Sequence, residues 1–384
     1  GAAAAEVLSL REAAGDEHVG TFVDGKLEGR GTCAYAYGGR YEGEWHLGLR
    51  HGQGQLHEPS GAVYEGGWAE GWQAGEGVWT YPDGSRYSGP LRKGKRHGAH
   101  GVFTAANGDK YEGRWADGLR DGQGVQTDGG GLRVYEGGWL ADRRHGHGVS
   151  IERESFAAPA ERYDGEWLDG VRHGRGRLEM ATGDVYVGQW RSGERNGHGE
   201  LTAPGGEKYD GKWIGGVRCG SGHEAAATVE GGLPPQTYDG QWAEGKRAGQ
   251  GRCAYANGDV YVGEWKEGRR HGAGCLTSEG GTESYEGRWS DDERHGHGKQ
   301  VYSSGEVYTG QWHADQRAGK GELLALDGSK YEGLWRHGRQ QGHGLHTSAP
   351  DLAGRCDEYD GQWEDGERSG AGRLTTAAGE VYDG

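Results

Sequence analysis

The 384-residue sequence predicts an all-β fold: an elongated single array of antiparallel β-hairpins, a solenoid-like twisted ribbon. Three observations carry this. The pattern Y-x-G-x-W-x-x-G-x-x-x-G-x-G recurs from Tyr41 to Tyr359. Its spacing is nearly fixed, since eight of the fourteen steps between Tyr41 and Tyr382 are 23 residues and the rest 24, 28 or 29. The aromatics are concentrated on it, with 13 of 15 Trp at its fifth place and 15 of 20 Tyr at its first. A period in this range signifies a repeat array.

Each place in the pattern has a physical reading. The glycine spacing excludes a helix. In Y-x-G-x-W, period 2 puts Tyr, Gly and Trp on one face of a strand and the intervening Glu, Asp or Gln on the other. The later G-x-G predicts a second strand with two bare positions on one face, over which large rings can lie flat. The eighth-place Gly gives way only to Asp142, Asp292 and Asp315. Asp is among the few residues that tolerate a left-handed backbone, so this place is read as the hairpin turn, with positive φ. A connecting turn such as Asn257-Gly258-Asp259 then leads to the next hairpin. One hairpin cannot bury its own rings, so its neighbours must complete the burial.

Residues 1–17 are Ala-rich and are read as an N-terminal extension with a short helix. Residues 18–40 form a degenerate capping repeat, in which His18 and Phe22 stand where Tyr and Trp are usual. Residues 41–381 hold fourteen full repeats, and residues 382–384 begin a truncated one. The copy at Tyr87 has Leu91 for Trp and an extra residue before Gly101, which predicts a local weakness or bend. Segments 150–162, 221–237 and 346–358 lengthen three connections and contain Pro159, Pro234, Pro235 and Pro350. They are read first as tolerated surface insertions and second as partner-binding loops. No domain boundary is expected between Tyr41 and Gly384. Because the chain starts at Gly1 and stops inside a repeat, trimmed ends are expected.

Composition narrows the function classes. Gly supplies 83 residues and only 32% of the chain is hydrophobic, which argues against packed globules. The net charge of -16 opposes generic binding to nucleic acid or to an anionic membrane, since both need a positive field. Five scattered cysteines without a C-x-x-C point to free thiols in a reducing compartment, the cytoplasm. No apolar run approaches the ~18 residues of a membrane span.

Copies such as Tyr41-Glu42-Gly43-Glu44-Trp45 and Tyr111-Glu112-Gly113-Arg114-Trp115 closely resemble the consensus of the MORN family (membrane occupation and recognition nexus). The resemblance covers almost the whole chain. It implies a non-catalytic structural scaffold or adaptor without cofactors. Such a scaffold would organise cytoskeletal or ciliary assemblies, axonemal and radial-spoke-like ones included, and would self-associate, often as a dimer. It also keeps two alternatives open. One is a peripheral membrane–cytoskeleton tether that binds acidic phospholipids. The other is the regulatory MORN region of a lipid kinase or methyltransferase.

Three columns are weighed as sites. The aromatic row is read either as core or as a groove for a partner segment: Tyr41, Trp45, Tyr111, Trp115, Tyr163, Trp167, Tyr186, Trp190, Tyr261, Trp265, Tyr331 and Trp335. The tenth-place arginines include Arg50, Arg120, Arg172, Arg195, Arg270 and Arg317. They are read as anion contacts, or as cations that stack on the rings or pair with the acid after Tyr, such as Glu42, Glu112, Glu286 or Glu332. The second reading is favoured. The pairs His145/His147 and His295/His297 would bind a metal only with ligands from a second chain, so no metal site is assigned. No nucleophile–base arrangement stands out, and no catalytic residue is assigned.

Overall fold

The computed structural model describes residues 7–12, 15–228 and 232–384. It holds two compact units, residues 1–194 and 195–384. The repeat pattern marks no boundary there, because Tyr186, Trp190 and Arg195 are the usual residues at their places. In an array each repeat touches only its neighbours, so division needs no change of sequence. Among the described residues there are thirty-three strands, paired antiparallel, and the array is not closed.

A typical repeat pairs a seven-residue strand with a nine-residue one, as in Val260–Lys266 and Arg269–Thr277. The hairpin register runs Tyr261↔Leu276, Val262↔Cys275 and Gly263↔Gly274, then shifts to Glu264↔His271 and Trp265↔Arg270. The second strand next pairs with the following repeat through Gly272↔Trp289, Gly274↔Gly287 and Leu276↔Tyr285. Places 1, 3, 5, 10, 14 and 16 therefore share one face, which carries the core. Places 2, 4, 13 and 15 lie on the other.

The hairpin turn follows the substitution pattern. Eighth-place residues have positive φ, including Gly268 (87°), Asp142 (67°), Asp292 (74°) and Asp315 (62°). The seventh place is left-handed as well, for example Leu47 (51°), Glu267 (50°) and His337 (52°). Two successive positive φ values in a two-residue loop are the signature of a primed turn, whose twist matches that of the strands.

Three expectations need correction or refinement. The two glycines of G-x-G are not equivalent bare positions. The twelfth-place Gly sits at the register shift with left-handed φ, as at Gly52 (62°), Gly174 (57°) and Gly272 (59°), so only the fourteenth-place Gly lies bare beneath a ring. Val7–Arg11 is a strand paired with Glu17–Val23, not part of a helix. The alternating Leu8-Ser9-Leu10 suits a strand, and the sheet edge offers unpaired backbone groups that a helix would leave bare. Residues 1–6 lie outside the described residues. In the copy at Tyr87 the second strand is interrupted at His97, and the extra residue before Gly101 falls within a register shift between Gly98 and Gly101.

Candidate functional site

The first-place tyrosine organises each repeat. Tyr41 Oη donates to Glu44 O at 3.0 Å, and Tyr261 Oη to Glu264 O at 3.0 Å. The ring lies on the fourteenth-place glycine. A methyl group on Gly54 would come 2.5–2.6 Å from Tyr41 ring carbons. Most of the tyrosines also meet two indoles in T-shaped contact, their own and the next repeat's, whereas Leu91 leaves Tyr64 and Tyr87 one T-shaped indole each and Tyr359 meets Trp363. In the first unit these centroid distances are 5.2 and 5.1 Å for Tyr41 (Trp45, Trp68), 5.1 and 5.3 Å for Tyr111 (Trp115, Trp139), and 5.2 and 5.3 Å for Tyr163 (Trp167, Trp190). In the second unit they are 5.2 and 5.5 Å for Tyr261 (Trp265, Trp289), and 5.2 and 5.1 Å for Tyr331 (Trp335, Trp363). Tyr186 meets Trp190 at 5.2 Å. The indole closes the step between repeats, because Trp68 Nε1 donates to Gly54 O at 3.3 Å and Trp289 Nε1 to Gly274 O at 3.2 Å.

The aromatic row is therefore the core wall and not an open groove. None of the twelve rings singled out above is more than 6% exposed, which leaves no area for a partner. Burial pushes the hydroxyls of Tyr64, Tyr111, Tyr135, Tyr209, Tyr238, Tyr285 and Tyr331 up to about 12.

The arginine column lies over the rings. Arg50 stands 4.2 Å from the Trp68 ring, Arg120 4.2 Å from Trp139, Arg270 4.2 Å from Trp289 and Arg317 4.2 Å from Trp335. Arg195 lies 4.3 Å from Trp213, and Arg172 lies between Tyr163 (5.0 Å) and Trp190 (5.5 Å). Their N–H groups also serve the array. Arg50, Arg195 and Arg317 donate to the carbonyls of Gly71, Gly216 and Gly338 at 2.9–3.0 Å. Where the turn residue is Asp, the guanidinium takes its carboxylate as well as its carbonyl, Arg120 reaching Asp142 Oδ1 at 3.0 Å and O at 2.9 Å, and Arg270 reaching Asp292 Oδ1 at 3.1 Å and O at 2.8 Å. Arg172 pairs with Glu161. A half-buried guanidinium that is stacked and hydrogen-bonded has few donors left for an external phosphate.

The pairing with the acid after Tyr is not observed for the residues expected. Period 2 turns the second place to the opposite face, where Glu42 meets Arg40 (2.9 Å), Glu112 meets Lys110 (2.7 Å) and Glu332 meets Lys330 (3.2 Å). The fourth-place acid has a job the pattern did not reveal. It accepts the N–H released at the register shift, as in Gln53 N to Glu44 Oε1 (3.2 Å), Arg175 N to Glu166 Oε1 (3.1 Å) and Ala273 N to Glu264 Oε1 (3.2 Å). Gln241 does the same for Gln250 N at 3.2 Å.

The histidine pairs straddle that shift and gather no third ligand among the described residues. His147 is exposed and 3.3 Å from Asp164, while His145 Nδ1 is buried without a hydrogen-bond partner.

Exposed apolar side chains appear in two places that the repeat pattern did not single out. At the hairpin-turn edge, the sixth and ninth places carry Leu49, Trp72, Leu119, Leu140, Leu168 and Val171 in the first unit, with Trp72 57% exposed. Ile214 and Val217 continue this in the second unit. Each lengthened connection also presents one large apolar residue, namely Phe156 (71% exposed), Leu233 (68%) and the fully exposed Leu352. Reading the sixth- and ninth-place columns together would have found the first group.

An open hairpin array with its rings, guanidiniums and glycines all used internally defines a repeat scaffold. The chain belongs to the MORN repeat family. Its model matches fifteen times, at residues 18–40, 41–63, 64–86, 87–110, 111–133, 135–151, 163–185, 186–208, 209–225, 238–260, 261–283, 285–307, 308–330, 331–350 and 359–381. No curated protein matches the chain. Among solved structures, it is similar to the TCP10 domain of Danio rerio CPAP in complex with a peptide of Danio rerio STIL. That match has 9% identity over 86% of this chain and 97% of that one, with TM-score 0.21. A streptogramin B lyase is similar at 10% identity over 85% and 90%, with TM-score 0.13. At these scores neither likeness bears on function.

Proposed function

We propose that this protein is a non-catalytic scaffold that holds cytoskeletal or ciliary proteins at set positions through protein–protein contacts and self-association. The observation that carries the reading is the division of labour between the faces. The residues that recur in the hairpins are buried and bonded to one another, whereas exposed apolar groups gather at the turn edge and on the three lengthened connections, with others such as Leu326 and Val262 scattered between. Exposed apolar residues of this size on a repeat frame suit partner contact. The cytoskeletal setting is what the family resemblance implies. A lipid-tether role draws less support, because the arginines it would need are stacked and hydrogen-bonded and the net charge is -16.

Crosslinking of the complex purified from native tissue tests this. Crosslinks from the segments holding Trp72, Phe156, Leu233 or Leu352 to cytoskeletal or ciliary proteins are expected, and they should be lost on Trp72→Ser or Phe156→Ser. Phosphoinositide liposome binding at ~150 mM salt that is abolished by Arg270→Gln and Arg317→Gln would overturn the reading in favour of the tether.

A further inference from the structure

The capping repeat departs from the others at three core places at once: His18 for Tyr, Phe22 for Trp and Leu27 for Arg. Leu27 is buried and fills the space over Gly20 and Gly31 that a tyrosine ring occupies elsewhere; a methyl on Gly20 would lie 2.8 Å from it. The His18 ring is thereby left free to stand edge-on to Trp45, at 5.5 Å. Its side chain is 13% exposed.

The register places His18 directly opposite Cys33, which is fully buried, and His18 Nε2 lies 3.7 Å from Cys33 Sγ. A carboxylate oxygen of Asp16 joins them, all three ligand atoms lying within 4.8 Å of one another. The same His18 nitrogen is 3.4 Å from Glu12 Oε1. Among the described residues, this is the one gathering of three or more metal-ligating groups.

We propose that Asp16, His18 and Cys33 form a structural Zn²⁺ site in the N-terminal cap, with the exposed Glu12 side chain, which already approaches His18, turning in as the fourth ligand. The donor set is one thiolate, one imidazole and two carboxylates, all types that zinc accepts. A tetrahedral zinc with bonds of about 2.0–2.3 Å holds its ligand atoms roughly 3.3–3.6 Å apart. The His18–Cys33 and His18–Glu12 separations are close to that before any metal is added. A hydrogen bond holds Asp16 in place, since Ala36 N donates to Asp16 Oδ1 at 2.8 Å. Backbone bonds from Glu12 N to Asp16 O (2.8 Å) and Gly15 N to Glu12 O (2.9 Å) hold the two acids near each other. Such outer contacts are what orients ligands. On binding, Cys33 releases its Sγ proton to solvent as the zinc–sulfur bond forms, and neutral His18 binds through Nε2. The metal would take over the work done in other repeats by the tyrosine, the indole and the guanidinium, fixing the end of the array.

The full chain, stripped of metal by chelator, is titrated with Zn²⁺ against a chromophoric chelator, and separately with Co²⁺ for its thiolate charge-transfer absorption. One equivalent of Zn²⁺ per chain and a thiolate band are expected. Cys33→Ser should remove the band, and His18→Gln and Asp16→Asn should weaken Zn²⁺ binding about 100-fold or more. Cys253→Ser is the control, as a buried thiol at the same repeat place opposite Tyr238, and it should change nothing. Circular dichroism establishes the fold of each variant. If Cys33→Ser does not fold, His18→Gln and Asp16→Asn carry the test. No thiolate band in the wild-type chain, a band that survives Cys33→Ser, or affinity unchanged by His18→Gln and Asp16→Asn would each overturn the proposal.

Discussion

Replacing Gly274 by Ala should be among the most damaging single changes in the second unit, although it adds only a methyl group. That group would strike Tyr261 Oη and sit 2.5 Å from Cζ and 2.6 Å from Cε2. The ring cannot yield freely. It is held between Trp265 at 5.2 Å and Trp289 at 5.5 Å, and its hydroxyl bonds Glu264 O at 3.0 Å. Displacing it forfeits one hydrogen bond, about 1 kcal/mol, and two T-shaped contacts of roughly 0.5–1.5 kcal/mol each. The expected loss is about 2–4 kcal/mol, in the range for overpacked cores. Because repeats couple only to neighbours, the loss should be local. Amide hydrogen exchange across residues 260–290 should then accelerate roughly 30- to 900-fold, with residues 330–347 little changed. Two controls isolate the cause. Gly268, unlike Gly274, has positive φ (87°), but nothing lies within 4 Å of an added Cβ, and Asp292 and Asp315 fill the same place. Gly268→Asp should cost under about 1 kcal/mol. In a Tyr261→Leu background, Gly274→Ala should add little, because the ring it strikes is gone. Exchange within threefold of wild type, or full additivity with Tyr261→Leu, would refute the ring-on-glycine account.

Three further outcomes follow from the same geometry. Burial holds Tyr64, Tyr111, Tyr135, Tyr209, Tyr238, Tyr285 and Tyr331 at about 12, so they keep their protons in the folded state where unfolded tyrosine, at about 10, loses them. Their contribution is whole below pH ~10 and is lost as pH rises from there through 12, by up to about 1.4 kcal/mol per pH unit for each tyrosine. Phenolate absorbance should therefore lag and then rise together with unfolding; smooth ionisation of all tyrosines near pH 10 without loss of ellipticity contradicts this. Glu264→Ala should cost about 1 kcal/mol in urea melts by leaving Ala273 N unpaired, and Glu264→Gln should cost almost nothing, since Gln241 already fills that role. Arg270→Ala should cost about 2–3 kcal/mol, through loss of the Trp289 stack and the Asp292 bonds at 3.1 and 2.8 Å; Arg270→Lys should recover less than half, because lysine lacks the planar fork.

The places most legible in the sequence were those where one residue type alone can do the job. Tyr at place 1 and Trp at place 5 combine a large ring with a donor that reaches a carbonyl, and Gly at place 14 is what a ring lying on backbone demands. The turn at place 8 could be read because Asp occasionally replaced Gly there and betrayed the left-handed backbone. No such substitution marks place 12, where the glycine is uninterrupted. Gly272 at the register shift and Gly274 beneath the ring thus look alike in sequence, although one answers to φ and the other to space. Place 7 was silent for the opposite reason. Leu47, Glu267 and His337 share no chemistry, and the two-residue loop imposes their positive φ from outside. The arginines were legible as ring-stacking cations. Their anionic partners were misplaced: the acid after Tyr lies on the opposite face, and the carboxylate that Arg120 and Arg270 meet belongs to the turn Asp of the next repeat.

That asymmetry bears on where recognition resides. A residue that recurs at one place in thirteen or fourteen hairpins meets the same neighbours each time, so its regularity reflects the packing problem and carries no address. The aromatic row and the arginine column are the most regular features of this chain, and both are consumed by the core. Information able to distinguish one hairpin from the next lies where the repeats disagree. At the ninth place Leu49, Trp72, Leu119 and Val171 alternate with Lys95, Arg143 and Glu194 in the first unit, and in the second Val217 stands among Lys246, Arg269, Glu293 and Arg339, so the turn edge differs from one hairpin to the next. The lengthened connections differ in sequence, yet each leaves one large apolar side chain in water. A partner that binds this chain at one defined position must read those differences, so substitutions at Trp72, Phe156, Leu233 and Leu352 should alter binding while leaving the tyrosine ladder and its stability untouched.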